Sequence, residues 1–144
     1  MLNLPVEPLP SVALWRINAM RILFLLMALV MGSFVWSQLL FESADWPAVR
    51  GLAKSMLAAL AMLSLLGVRY PLAMLPLMLF EIAWKTIWLV LIALRAWLAG
   101  RWTADIEALF GECIGIVVAY FIVPWRHAFA RFVLAPMEPL RRPR

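Results

Sequence analysis

Four apolar runs of about twenty residues, 22–41, 49–68, 72–94 and 106–123, are separated only by short polar or proline-bearing breaks. About 20 such residues are what a helix needs to cross a hydrocarbon core ~30 Å thick. Hydrocarbon holds no water to satisfy open backbone groups, so runs of this length resolve as helices. The expectation is an all-α integral membrane protein: one domain over 1–144, folded as an antiparallel bundle of four transmembrane helices. Composition points the same way, because 66% of the chain is hydrophobic, whereas soluble domains are nearer ~45–50% apolar. A cleaved signal peptide is the competing reading of the first run. It fails because the run exceeds the usual ~7–15-residue apolar region and no Ala-x-Ala-like site follows before the acidic segment.

The breaks carry their own signals. Residues 1–10 hold Pro5, Pro8 and Pro10 and read as an irregular lead-in. Residues 11–20 mix Trp15, Arg16 and Asn18 with aliphatics, as an interfacial helix start would. Pro47 stands where it can begin the second helix, and Arg69-Tyr70-Pro71 forms a tight turn because the residue before proline avoids helical geometry. Pro76, inside the third run, either kinks that helix or marks its true start. Gly100 reads as a C-cap and Thr103 as an N-cap, with the third helix continuing to about Trp97. Residues 127–134 around Arg131 suit a short interfacial helix, and 135–144 form a basic, proline-rich tail. Trp15, Trp46, Trp97, Trp102 and Trp125 fall at the predicted boundaries as an aromatic belt.

An even number of spans places both termini on one side. Eight basic residues (Arg16, Arg21, Arg69, Arg126, Arg131, Arg141, Arg142, Arg144) fall on that side. Four (Arg50, Lys54, Arg95, Arg101) fall opposite, with Glu42, Asp45 and Asp105. The excess predicts cytoplasmic termini. The net charge of +5 sits at the ends of apolar runs, not on a soluble face with interleaved aromatics. It therefore points to membrane lipids as partners and away from nucleic acid.

The unusual chemistry lies within the third run, in Phe80-Glu81-Ile82-Ala83-Trp84-Lys85-Thr86-Ile87-Trp88. A charge near a bilayer centre costs at least ~2.5–3.5 kcal/mol on insertion scales, so it normally has a partner and faces protein or water. Glu81 and Lys85 are four apart in the favoured order. Counting ~1.5 Å per residue, Lys85 lies ~21 Å above Pro71 and Glu112 ~18 Å above Pro124, so the three are expected to converge as a buried cluster. In one reading Lys85 bridges the carboxylates and fixes helix packing. In the other the spare carboxylate binds a proton, a cation or a polar headgroup. Trp84 and Trp88 flank Lys85, either stacking on it or facing lipid. Gly111-x-x-x-Gly115-x-x-x-Ala119 is a stripe of small residues that admits another helix closely. That helix comes from the same chain, from a homo-oligomer or from another membrane protein. Ser33, Ser37, Gln38 and Ser64 either bond their own helix backbone or line the interior.

Cys113 and His127 are the only cysteine and histidine, which leaves no disulfide framework and no metal-ligand cluster. No phosphate-binding loop, dinucleotide fingerprint, His-Glu-x-x-His or Ser/His/Asp set occurs. The expectation is a non-enzyme without a cofactor.

Gly67-Val68-Arg69-Tyr70-Pro71-Leu72, Met74-Leu75-Pro76-Leu77, Phe80-Glu81, Trp84-Lys85 and Trp88-Leu89, with the closing Val123-Pro124-Trp125-Arg126, resemble a family of short four-span bacterial inner-membrane proteins without an assigned activity. The resemblance covers about the C-terminal half. It implies a bacterial inner-membrane location and a four-helix architecture, and transfers no mechanism. DoxX-like proteins share the size class but no motif. Two functions stay open: a non-catalytic structural or assembly partner, and a small proton- or ion-coupled transporter using the charged cluster. Small multidrug exporters, the nearest analogy for the second, carry their carboxylate in the first span, which here has no acid. A dry, filled interior at Lys85 favours the first function and a polar cavity the second.

Overall fold

The computed structural model describes residues 9–42 and 45–135. Most of the lead-in, two residues of the first loop and nearly all of the proline-rich tail lie outside the described residues. Among the described residues five helices succeed one another: α1 Leu14–Phe41, α2 Ala48–Arg69, α3 Leu75–Leu98, α4 Ala104–Ile122 and α5 Trp125–Leu134. Among the described residues all regular structure is helical. By length and composition α1, α2 and α3 could each cross a membrane, whereas α4 and α5 qualify only as a pair, bent by 82°.

The helix ends obey local chemistry. Helix α1 begins at Leu14, eight residues before the expected span, so Trp15, Arg16 and Asn18 belong to the same rod. Residues 71–74 form a turn, and α3 starts at Leu75 with Pro76 in its first turn, where the missing N–H has no helical partner to lose. Pro76 therefore marks the start and does not kink the helix. At the far end Gly100 has φ +63°, which a glycine adopts without Cβ strain. The Gly100 N–H reaches Trp97 O at 3.1 Å and the Arg101 N–H reaches Ala96 O at 2.9 Å. This double closure satisfies the carbonyls that the helix end leaves open. Thr103 caps α4 by accepting from the Ile106 N–H at 3.4 Å.

Two features depart from the expected straight spans. Helix α4 is interrupted by a turn at Gly115, and single π-helical turns occur at Met27–Met31, Leu89–Ala93 and Ala130–Leu134. The wider π turn shifts the face presented by the next helical residues about the axis.

Helices α1 and α2 pack antiparallel through small residues. A Cβ at Gly67 would stand 2.4 Å from the Phe24 ring, and one at Gly32 would stand 3.3 Å from Ala61 Cβ. The main core lies at the end holding the starts of α1 and α3 and the close of α4. Met20, Phe24, Leu75, Met78, Ile82 and Val123 are buried there together. The second half of α4 packs on α1 and α3, while its first half meets chiefly the Leu89–Ala93 turn.

Candidate functional site

Glu81 is the one buried carboxylate among the described residues, 1% exposed. Its Oε1 meets Lys85 Nζ at 2.7 Å. The contact is an ion pair without the direction of a formed hydrogen bond, which leaves that oxygen no other partner. Its Oε2 accepts from Trp84 Nε1–H at 2.7 Å. One turn of α3 therefore supplies an acid, its counterion and an indole donor. The Lys85 side chain keeps 16% exposure against 2% for Glu81, and its ammonium lies 5.5 Å from the Trp84 ring centre, within cation–π range. Stacking and lipid contact, the two sequence-based expectations for Trp84, leave this hydrogen bond out. A signal for it exists in the spacing, since positions three apart on a helix are neighbours.

Glu112 does not join this pair. It is exposed on α4 and makes no ion pair among the described residues. A depth count from Pro71 and Pro124 puts it level with Lys85, but those two ends are not themselves level. Register is set at the opposite end, where a short loop joins Leu98 to Ala104. Thr86 Oγ1 lies 2.6 Å from Tyr120 OH, and Leu89 and Ala93 share a groove with Phe110 and Ile114. Glu112 thus sits about two turns from the level of Lys85, roughly 10 Å along the axis. Its neighbour Cys113 is buried and lies within electrostatic range of Lys85, Glu112 and Glu81, so the three charges share a region without contact.

The small-residue stripe divides in the same way. Ala119 is buried, at 3% exposure. A Cβ at Gly111 or Gly115 would meet nothing within 4 Å. Packing inside the chain therefore does not explain these two glycines. The close approaches occur instead at Gly32 and Gly67, which periodicity alone does not single out.

The remaining polar side chains mostly satisfy themselves. Ser33, Ser37 and Ser64 donate to the carbonyls of Val30, Phe34 and Leu60. Gln38 keeps its Oε1 buried without a hydrogen-bond partner. Thr86 Oγ1 is 2.6 Å from Ile82 O. Because its single proton goes there, the Tyr120 hydroxyl donates to Thr86. This bond ties α3 to α4, and no sequence motif signals it.

An open groove of about 760 Å³ lies between the end of α3 and the start of α4. Its walls, including Trp97, Trp102, Phe110 and Ile114, are almost entirely apolar, and Trp102 meets Phe110 edge-on with ring centres 5.5 Å apart. No group that could bind an ion or move a proton lines it. No group of three or more potential metal ligands occurs among the described residues. No protein-family model matches the chain, and neither a curated protein nor a solved structure does.

Proposed function

We propose that this chain is a four-span protein of the bacterial inner membrane with cytoplasmic termini, acting as a non-catalytic structural or assembly partner. The observation that carries this reading is the closed turn around Glu81. Both carboxylate oxygens are taken by Lys85 and Trp84 of the same helix, and Met78 and Ile82 pack beside it in the core. A charge held this way fixes a helix face.

Helix α4 serves as the fourth span, roughly 28 Å long at ~1.5 Å per residue, with α5 bent away at the interface. Glu112 then lies near mid-span on a face that the chain leaves uncovered. Facing lipid there would cost at least ~2.5–3.5 kcal/mol. A partner helix over Glu112, Gly111 and Gly115 removes that cost, since small residues let backbones approach.

The test is purification in mild detergent, with mass determination and identification of any protein that co-purifies. A dimer or stable complex lost in Glu112→Leu supports the reading, whereas a wild type that is monomeric and alone overturns the assembly role. One observation favours a transporter instead: Glu112 is an acid without an ion pair among the described residues. In that case proteoliposomes show proton flux that Glu112→Gln abolishes.

A further inference from the structure

We propose that α5 and the end of the bundle beside it form a binding surface for anionic phospholipid headgroups, with Arg126 and Arg131 as the phosphate-binding side chains. This rests on the proposed membrane location but not on the assembly role.

Charge is distributed unevenly between the two ends. Among the described residues the end with α5 carries Arg16, Arg21, Arg69, Arg126 and Arg131 and no acid. The opposite end carries Arg50, Lys54, Arg95 and Arg101 against Glu42, Asp45, Asp105 and Glu107, which cancel. Three of the five arginines are engaged within the protein. Arg16 donates to Val123 O at 3.1 Å, Arg21 donates to Asn18 Oδ1 at 3.1 Å, and Arg69 lies over the Tyr70 ring. Arg126 and Arg131 have no ion-pair partner among the described residues and stand exposed on α5.

Helix α5 is held in position. It leaves α4 at 82°, so it lies across the end of the bundle. Trp125 Nε1–H donates to Tyr120 O at 2.8 Å. His127 Nδ1 is 3.1 Å from Pro10 O. A carbonyl can only accept, so the histidine donates through that nitrogen. Ala128 is buried against the bundle. Trp125, Phe129, Phe132, Val133 and Leu134 are all exposed. A short helix across the end of a membrane bundle that exposes both apolar and guanidinium side chains fits a lipid surface: rings enter the acyl boundary and guanidinium groups meet phosphates. A soluble acidic partner would have no use for five exposed apolar side chains interleaved with the charges.

The full chain, purified and reconstituted in nanodiscs of equimolar phosphatidylglycerol and phosphatidylcholine, is analysed for the lipid it retains after extraction. Phosphatidylglycerol is expected to be retained in preference, and Arg126→Gln with Arg131→Gln is expected to weaken that preference roughly tenfold or more. Arg95→Gln with Arg101→Gln removes the same charge from the other end and is expected to leave it unchanged. If the first variant does not fold, the wild type decides alone, because ~0.5 M salt screens exposed charges and must abolish the preference. Equal retention of both lipids, or equal losses from the two double variants, overturns the proposal. Failure to enter nanodiscs at all overturns the membrane reading instead.

Discussion

The guanidinium of Arg16, in the first turn of α1, donates to the backbone carbonyl of Val123 across 107 residues of chain. That carbonyl sits where α4 stops before Pro124, and it also receives the Trp125 N–H, at 3.0 Å. Val123 is fully buried, so the arginine satisfies an acceptor that water does not reach. Hydrogen bonds from charged donors contribute ~1.5–3 kcal/mol. Arg16→Met is expected to lower the melting temperature in detergent and to speed amide exchange in α5 more than in α2. Uniform exchange across both helices would show that the bond does not hold α5.

The ion pair of α3 makes a separate prediction. Lys85→Met leaves a buried carboxylate without its counterion, a type of change that costs ~3–5 kcal/mol. Adding Glu81→Gln removes the orphaned charge and is expected to recover part of the loss. Adding Glu112→Gln instead is expected to be additive, since residues without contact rarely couple. A thermal-melt double-mutant cycle measures both terms, and a recovery through Glu112 would place that acid in contact with Lys85.

Trp84→Phe keeps most of the ring and removes only the donor to Glu81 Oε2. Leaving a buried acceptor unsatisfied costs ~1–3 kcal/mol. The expected readout is a lower melting temperature without change in oligomeric mass. Trp88→Phe, the same change one turn further along α3, serves as the comparison and is expected to cost less.

Glycine substitutions should separate two kinds of helix face. Gly67→Ala drives a methyl into the Phe24 ring, and overpacking of that kind costs ~1–3 kcal/mol. Gly111→Ala meets nothing within the chain and should stabilise the isolated monomer by up to ~1 kcal/mol through helix propensity. The same change should weaken assembly if a partner helix occupies that face. Melting of monomer and complex, measured side by side, distinguishes the effects.

Much of the helical layout is legible in the sequence because its causes are local. Run length, the proline at the start of α3, the left-handed Gly100 and the Thr103 cap each act within a turn of the residue concerned. The i, i+4 pairing of Glu81 with Lys85 is local as well. The position of Glu112 is not, because depth counted from one end of two antiparallel helices ignores that the loop at the other end sets their register. Gly32 and Gly67 escape a sequence reading because their role depends on which ring or methyl faces them from another helix. The Thr86–Tyr120 bond escapes it for the same reason.

The closure of Glu81 by Lys85 and Trp84 also bears on how α3 reaches its place. Because the neutralising partner lies one turn away on the same helix, the segment needs no neighbour to cancel its charge. If α3 enters a bilayer, its mid-helix pair can do so as a neutral unit before α4 has been synthesised, with Arg95 near the helix end. A segment comprising α3 alone, placed in an insertion reporter, is expected to partition into the bilayer, and Lys85→Met is expected to impair it although a positive charge has been removed. For this helix, removing Lys85 alone is expected to make entry harder, and removing Glu81 with it is expected to make entry easier.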